Sequence, residues 1–153
     1  MADIQQVKAW LDSEEPDYPG AARALGAAAL PALTELIRGN DLALASKATY
    51  LASLIPHPGA ADALRAAQAR SEPLMRVAAA SGIRNLDPAH GEQLFEALHR
   101  DPDAGVRKVA LRSAAGLNSP AVLQRLRAVE ASDPEPPLRE LAGTLARPAA
   151  PPR

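Results

Sequence analysis

The chain has 153 residues and a mass of 16.0 kDa, enough for one domain with a continuous core. Its 35 Ala and 21 Leu against four aromatics (Trp10, Tyr18, Tyr50, Phe95) favour helix over strand, so an all-α fold is expected. The absence of Cys excludes disulfides and thiolate sites, and a net charge of −1 provides no global field for nucleic acid or anionic lipid.

In chain order, a first helix is expected over about 3–12, with apolar Ile4, Val7, Trp10 and Leu11, and Trp10 as its anchor to the rest. An acidic, proline-bearing loop follows from Ser13 to Gly20, with Tyr18 as its exposed aromatic. Helices then fall near 20–27, 29–39, 42–55, 58–70, 73–85, 88–100, 103–116, 120–131 and 135–146. Residues 147–153 form a Pro-rich tail that cannot continue a helix. No run reaches the roughly 20 apolar residues of a membrane span, and Met1–Gln5 lack a signal peptide's basic start and apolar run. A soluble, cytoplasmic protein is the expectation.

The later elements repeat. Pro58, Pro88 and Pro120 each open an apolar-periodic segment, with Leu64, Leu94 and Leu126 six residues on. Asp87 and Ser119 are good caps before their prolines, and His57 a weaker one. Thirteen residues after the prolines stand Ser71, Asp101 and Asp133, with Asp41 placed 30 residues before Ser71. These four are expected to cap the second set of helices. A basic residue follows each: Lys47, Arg76, Arg107 and Arg139. On those helices Met75, Ala78, Ala79 and Ile83 match Val106, Val109, Ala110 and Ala114, at helical spacing. The pattern predicts one domain over 1–146: a capping helix and acidic loop at 1–19, then stacked antiparallel helix pairs over 20–146.

The segment Asp101-Pro102-Asp103-Ala104-Gly105-Val106-Arg107-Lys108-Val109-Ala110 resembles a HEAT repeat of the short type named after phycobilisome lyases, and Leu25-Gly26 with Ala29–Leu33 resembles the opening half of such a unit. The resemblance covers residues 20–146 and implies a right-handed α-solenoid. It further implies a ladder of hydrogen bonds along the stack, formed by the Asp and Arg of successive units, a role carried over to Asp41 with Lys47, Asp101 with Arg107, and Asp133 with Arg139. Ser71 and Arg76 depart from the pattern in residue and spacing. The family's name implies, as an alternative function, an accessory role in attaching bilin chromophores.

The functional surface of such a stack is expected on the concave face, lined by the Pro-opened helices: Asp62, Glu92, Glu96, His99, Gln124 and Arg125. Glu96-x-x-His99 with Glu92 has the spacing of a metal motif, but a di-iron bundle needs that motif twice and further Glu ligands. A solvated helix face is the better reading. His57 and His90 read as surface residues, and no nucleophile elbow or phosphate loop is present. Catalysis, cofactor and metal are therefore not expected. Residues 1–20 carry a local charge of −4 and residues 100–127 one of +4. That polarity suits an acidic partner or weak head-to-tail self-association, whereas nucleic-acid binding is disfavoured by the few aromatics. The expected function is a non-catalytic module that binds another protein, as a monomer or weak self-associate.

Overall fold

Short acidic and hydroxyl side chains set most of the helix starts. A computed structural model describes residues 3–147, and among them are ten α-helices and no strand. They are α1 (Ile4–Leu11), α2 (Tyr18–Leu25), α3 (Leu30–Ile37), α4 (Leu42–Ser53) and α5 (Gly59–Gln68). They continue as α6 (Pro73–Gly82), α7 (Pro88–Leu98), α8 (Ala104–Ala115), α9 (Pro120–Ser132) and α10 (Pro136–Ala146). Short 3-10 turns, Ala27–Ala29 and Ile83–Asn85, follow α2 and α6. Of the tail expected at 147–153, all but Arg147 lies outside the described residues. No described helix is long and apolar enough to cross a membrane.

Asp3, Asp17, Asp41, Asp87, Asp103 and Ser119 each accept a hydrogen bond from the backbone N–H three residues on. This satisfies one of the free donors of each first turn. Asp17 starts α2 earlier than the periodicity predicts, because its carboxylate holds the Gly20 N–H at 3.0 Å. Pro88 and Pro120 occupy first-turn positions as expected, whereas Pro58 precedes α5, and His57 Nδ1 accepts from the Gly59 N–H at 2.9 Å.

The expected repeat register shifts by one or two residues. The N-caps of α6, α8 and α10 are Glu72, Asp103 and Glu135, not Ser71, Asp101 and Asp133. Asp41 is itself the cap of α4. The equivalent positions, two residues before each cap, are Gly39, Arg70, Asp101 and Asp133; four after each cap stand Ala45, Arg76, Arg107 and Arg139.

The helices alternate between two layers. In one, α4, α6, α8 and α10 pack in succession; in the other, α3, α5, α7 and α9 do, while α1 and α2 cover the start of the stack. Between the layers run buried Leu33, Ile37, Leu51, Leu64, Met75, Ile83, Leu94, Phe95, Leu98 and Leu111. Each such side chain contributes about 1.5–3 kcal/mol by burial. The facing sides of α4, α6 and α8 are small: Ala45, Ala48, Ala52, Ala79, Ala110 and Ala114 are fully buried. Gly82 marks a close approach, since a Cβ there would lie 2.7 Å from Leu64 Cδ2 and 2.8 Å from Ser53 Cβ.

The aromatic residues near the N-terminus fall differently from expectation. Trp10 is 38% exposed, and Val7 and Leu11 anchor α1 instead. Eight residues make barely two turns, and only one narrow stripe of them faces inward. Tyr18 is half-buried and meets Tyr50 edge to face at 5.0 Å, a geometry that aromatic pairs favour.

Candidate functional site

The basic residues of α6 and α8 build a buried ladder, and its rungs join neighbouring units. Arg76 donates from Nε to Asp101 Oδ2 at 2.7 Å and from Nη2 to Oδ1 at 3.2 Å. Its Nη1 bonds the carbonyls of Ser71 (2.6 Å) and Arg70 (3.1 Å). Arg107 repeats the arrangement one unit on: to Asp133 at 3.1 and 3.4 Å, and to the carbonyls of Asp101 and Pro102 at 2.9 and 3.3 Å. Each Asp also accepts the N–H two residues ahead, Asp103 or Glu135.

The carboxylate rungs thus run between successive units, from Arg76 to Asp101 and from Arg107 to Asp133, and not from Asp101 to Arg107 or from Asp133 to Arg139. Arg107 bonds the backbone of Asp101 but the carboxylate of Asp133. Arg139, in the last helix, keeps only the Asp133 carbonyl among the described residues, at 2.7 Å. Asp41 and Lys47 form no rung. The Lys47 Nζ donates to the carbonyls of Leu11 (3.2 Å) and Ser13 (2.6 Å), closing the C-terminal end of α1. Arg70, where later units have Asp, reaches back to the carbonyls of Ile37 and Gly39 at 2.7 and 2.6 Å. It also forks onto Glu72, which holds that carboxyl below its ordinary range.

The six residues expected on the Pro-opened helices are placed unevenly. Asp62 is exposed and pairs with Arg65 at 2.8 Å, and Arg65 bridges from α5 to Gln93 of α7 at 2.7 Å. Glu92 is half-buried and accepts the Ser119 hydroxyl at the start of α9. Glu96 sits between Arg125 of α9 (2.7 Å) and Arg100 (3.1 Å). Gln124 is exposed. His99 is not on the surface: it ends α7 with its ring 5.1 Å from that of Phe95, and its Nε2 is buried without a hydrogen-bond partner. Burial pushes its pKa down, Glu96 opposes that shift, and Arg100 and Arg125 reinforce it.

Glu92 and Glu96 therefore link α7 to α9. His99 Nε2 lies 3.9 Å from Glu96 Oε2, and among the described residues no three His, Asp or Glu side chains are grouped to hold a metal ion. A cleft of about 500 Å³ opens beside His99, between Arg100, Arg125, Ser132 and Pro134. His90 pairs with Asp87 at 2.5 Å, and that bond lowers the Asp87 pKa.

The outer side of the other layer carries, on α8, part of the basic stretch 100–127 that suits an acidic partner, and extends it onto α6. By the 31-residue register, Leu74, Val77 and Ser81 on α6 align with Gly105, Lys108 and Arg112 on α8. Leu74 is 49% exposed, the largest value among the exposed large apolar residues. The legible signal is a missing residue type: 73–85 and 104–115 contain no Asp or Glu.

Neither a protein-family model nor a curated protein matches the sequence.

Proposed function

We propose that this chain is a short, HEAT-like, right-handed α-solenoid of antiparallel helix pairs that acts as a non-catalytic scaffold binding another protein. Two alternating layers and Arg–Asp rungs repeated at the same positions of successive units support the solenoid reading. The observation that carries the binding reading is a contrast between the layers. Glu92, Glu96 and Arg125 are bonded to one another's helices, whereas Leu74, Lys108 and Arg112 are exposed and, among the described residues, make no side-chain hydrogen bond or ion pair. The favoured contact face accordingly moves from the Pro-opened helices to α6 and α8.

The test is affinity capture from lysate followed by reconstitution. The reading expects a captured protein that, once purified, binds the full chain stoichiometrically in calorimetry. If every captured protein fails to bind after purification, the scaffold reading is overturned.

A further inference from the structure

We infer that the outer face of α6 and α8 docks an acidic segment of a partner protein bearing aliphatic side chains, an inference that rests on the scaffold reading. Helix α6 with its following 3-10 turn, and helix α8 beside it, hold five cations and no carboxylate: Arg76, Arg84, Arg107, Lys108 and Arg112. Two of these are matched, Arg76 by Asp101 and Arg107 by Asp133. The carboxylates flanking the helices are also committed, Glu72 to Arg70 and Asp103 to the Val106 N–H. Arg84, Lys108 and Arg112 remain exposed, with no ion pair to a carboxylate among the described residues. On α10, Glu140 is the acidic group in register with Lys108, and it makes no ion pair with it.

The apolar half of the recognition lies alongside. Leu74 and Val77 occupy the same face of α6, and half-buried Val109 borders the cations on α8. Cations beside exposed Leu74 and half-buried Val77 and Val109 match a segment that alternates carboxylates with Leu or Val. A phosphate backbone would leave Leu74 and Val77 unused, and the face has no aromatic residue on which a base could stack.

The test is an amide chemical-shift titration of the ¹⁵N-labelled full chain with a synthetic amphipathic peptide of Glu and Leu. A matched peptide with Lys replacing Glu, and duplex DNA, serve as controls. The inference expects saturable shifts centred on residues 74–81 and 105–112, reduced by added salt. Binding should weaken about tenfold in the K108E/R112E variant, whose two exposed charges have no internal partner to lose. Leu74→Ser provides a second variant that leaves all charges in place and should also weaken binding. The inference is overturned by absence of saturable shifts, by shifts centred on the Arg100–Arg125 cleft, or by equal binding of the Lys peptide. Tighter binding of DNA, or self-association that buries the same amides, overturns it in favour of another occupant. A purified partner that binds wild type and K108E/R112E equally removes this inference and leaves the scaffold reading standing.

Discussion

Arg107 and Asp133, from successive units of the stack, face each other in the interior with their side chains 9% and 4% exposed, joined by hydrogen bonds of 3.1 and 3.4 Å. The guanidinium also holds two backbone carbonyls of its own unit. One side chain thereby fixes the loop before α8 and the loop before α10. Removing it leaves Asp133 charged and buried with only the Glu135 N–H, which is the costly way to break such a pair. Arg107→Ala should lower stability by about 3 kcal/mol. Arg139→Ala removes one carbonyl bond and no carboxylate partner, and should cost about 1 kcal/mol. Urea denaturation of both variants checks the order. Equal midpoints would contradict the assignment of rungs.

Close approach of α6 to its neighbours gives a second, independent prediction. Gly82→Ala would press a methyl group against Leu64 and the Ser53 Cβ, and overpacking of this kind costs about 1–3 kcal/mol. Gly116→Ala is the control: the nearest atom to its Cβ is the Ser113 carbonyl oxygen at 3.5 Å, and its φ of −70° suits alanine. The control should be neutral or stabilise by about 0.5 kcal/mol through the unfolded state. Thermal melts of the two variants should therefore move in opposite directions or only for Gly82.

His99 makes stability depend on pH with a definite sign. Burial holds its folded pKa below the ordinary 6.5, so the folded state favours the neutral ring. The unfolded chain binds the proton more readily, and stability falls as pH drops below about 6.5. His99→Leu should remove this part of the acid sensitivity and, by replacing an unpartnered buried nitrogen, raise the midpoint at pH 7. Denaturation midpoints from pH 7 to pH 5 for both proteins test it. An unchanged slope in the variant would locate the sensitivity elsewhere.

Lys47 is a clasp for α1. Lys47→Ala releases the carbonyls of Leu11 and Ser13 and should speed amide exchange of residues 4–11 by about fivefold, the effect of roughly 1 kcal/mol. Exchange in α8 should not change. A uniform increase across the chain would mean that Lys47 supports global stability instead.

Much of the helical layout was legible because capping leaves a compact signature: Asp87-Pro88 and Ser119-Pro120 open α7 and α9 as expected. Register was harder. An Asp at the cap, such as Asp41, and an Asp two residues before it, such as Asp101, look alike in sequence, yet one bonds its own first turn and the other the preceding unit. Arg70 broke the pattern by filling an Asp position with a residue that bonds backbone carbonyls. Lys47 was illegible for the same reason, because carbonyl partners carry no residue type. His99 shares a helical stripe with Glu92 and Glu96, but at the end of α7 its ring turns onto Phe95. The basic stretch 100–127 made the α8 half of the α6–α8 face legible, whereas the α6 half was hidden because its signal is a missing charge type.

Hydrogen exchange of the full chain, alone and with its reconstituted protein partner, tests the placement of the contact face on α6 and α8 most directly. The account predicts protection over residues 73–85 and 104–115, with α7 and α9 unaffected. Protection confined to α7 and α9, around Glu96 and Arg125, would contradict it.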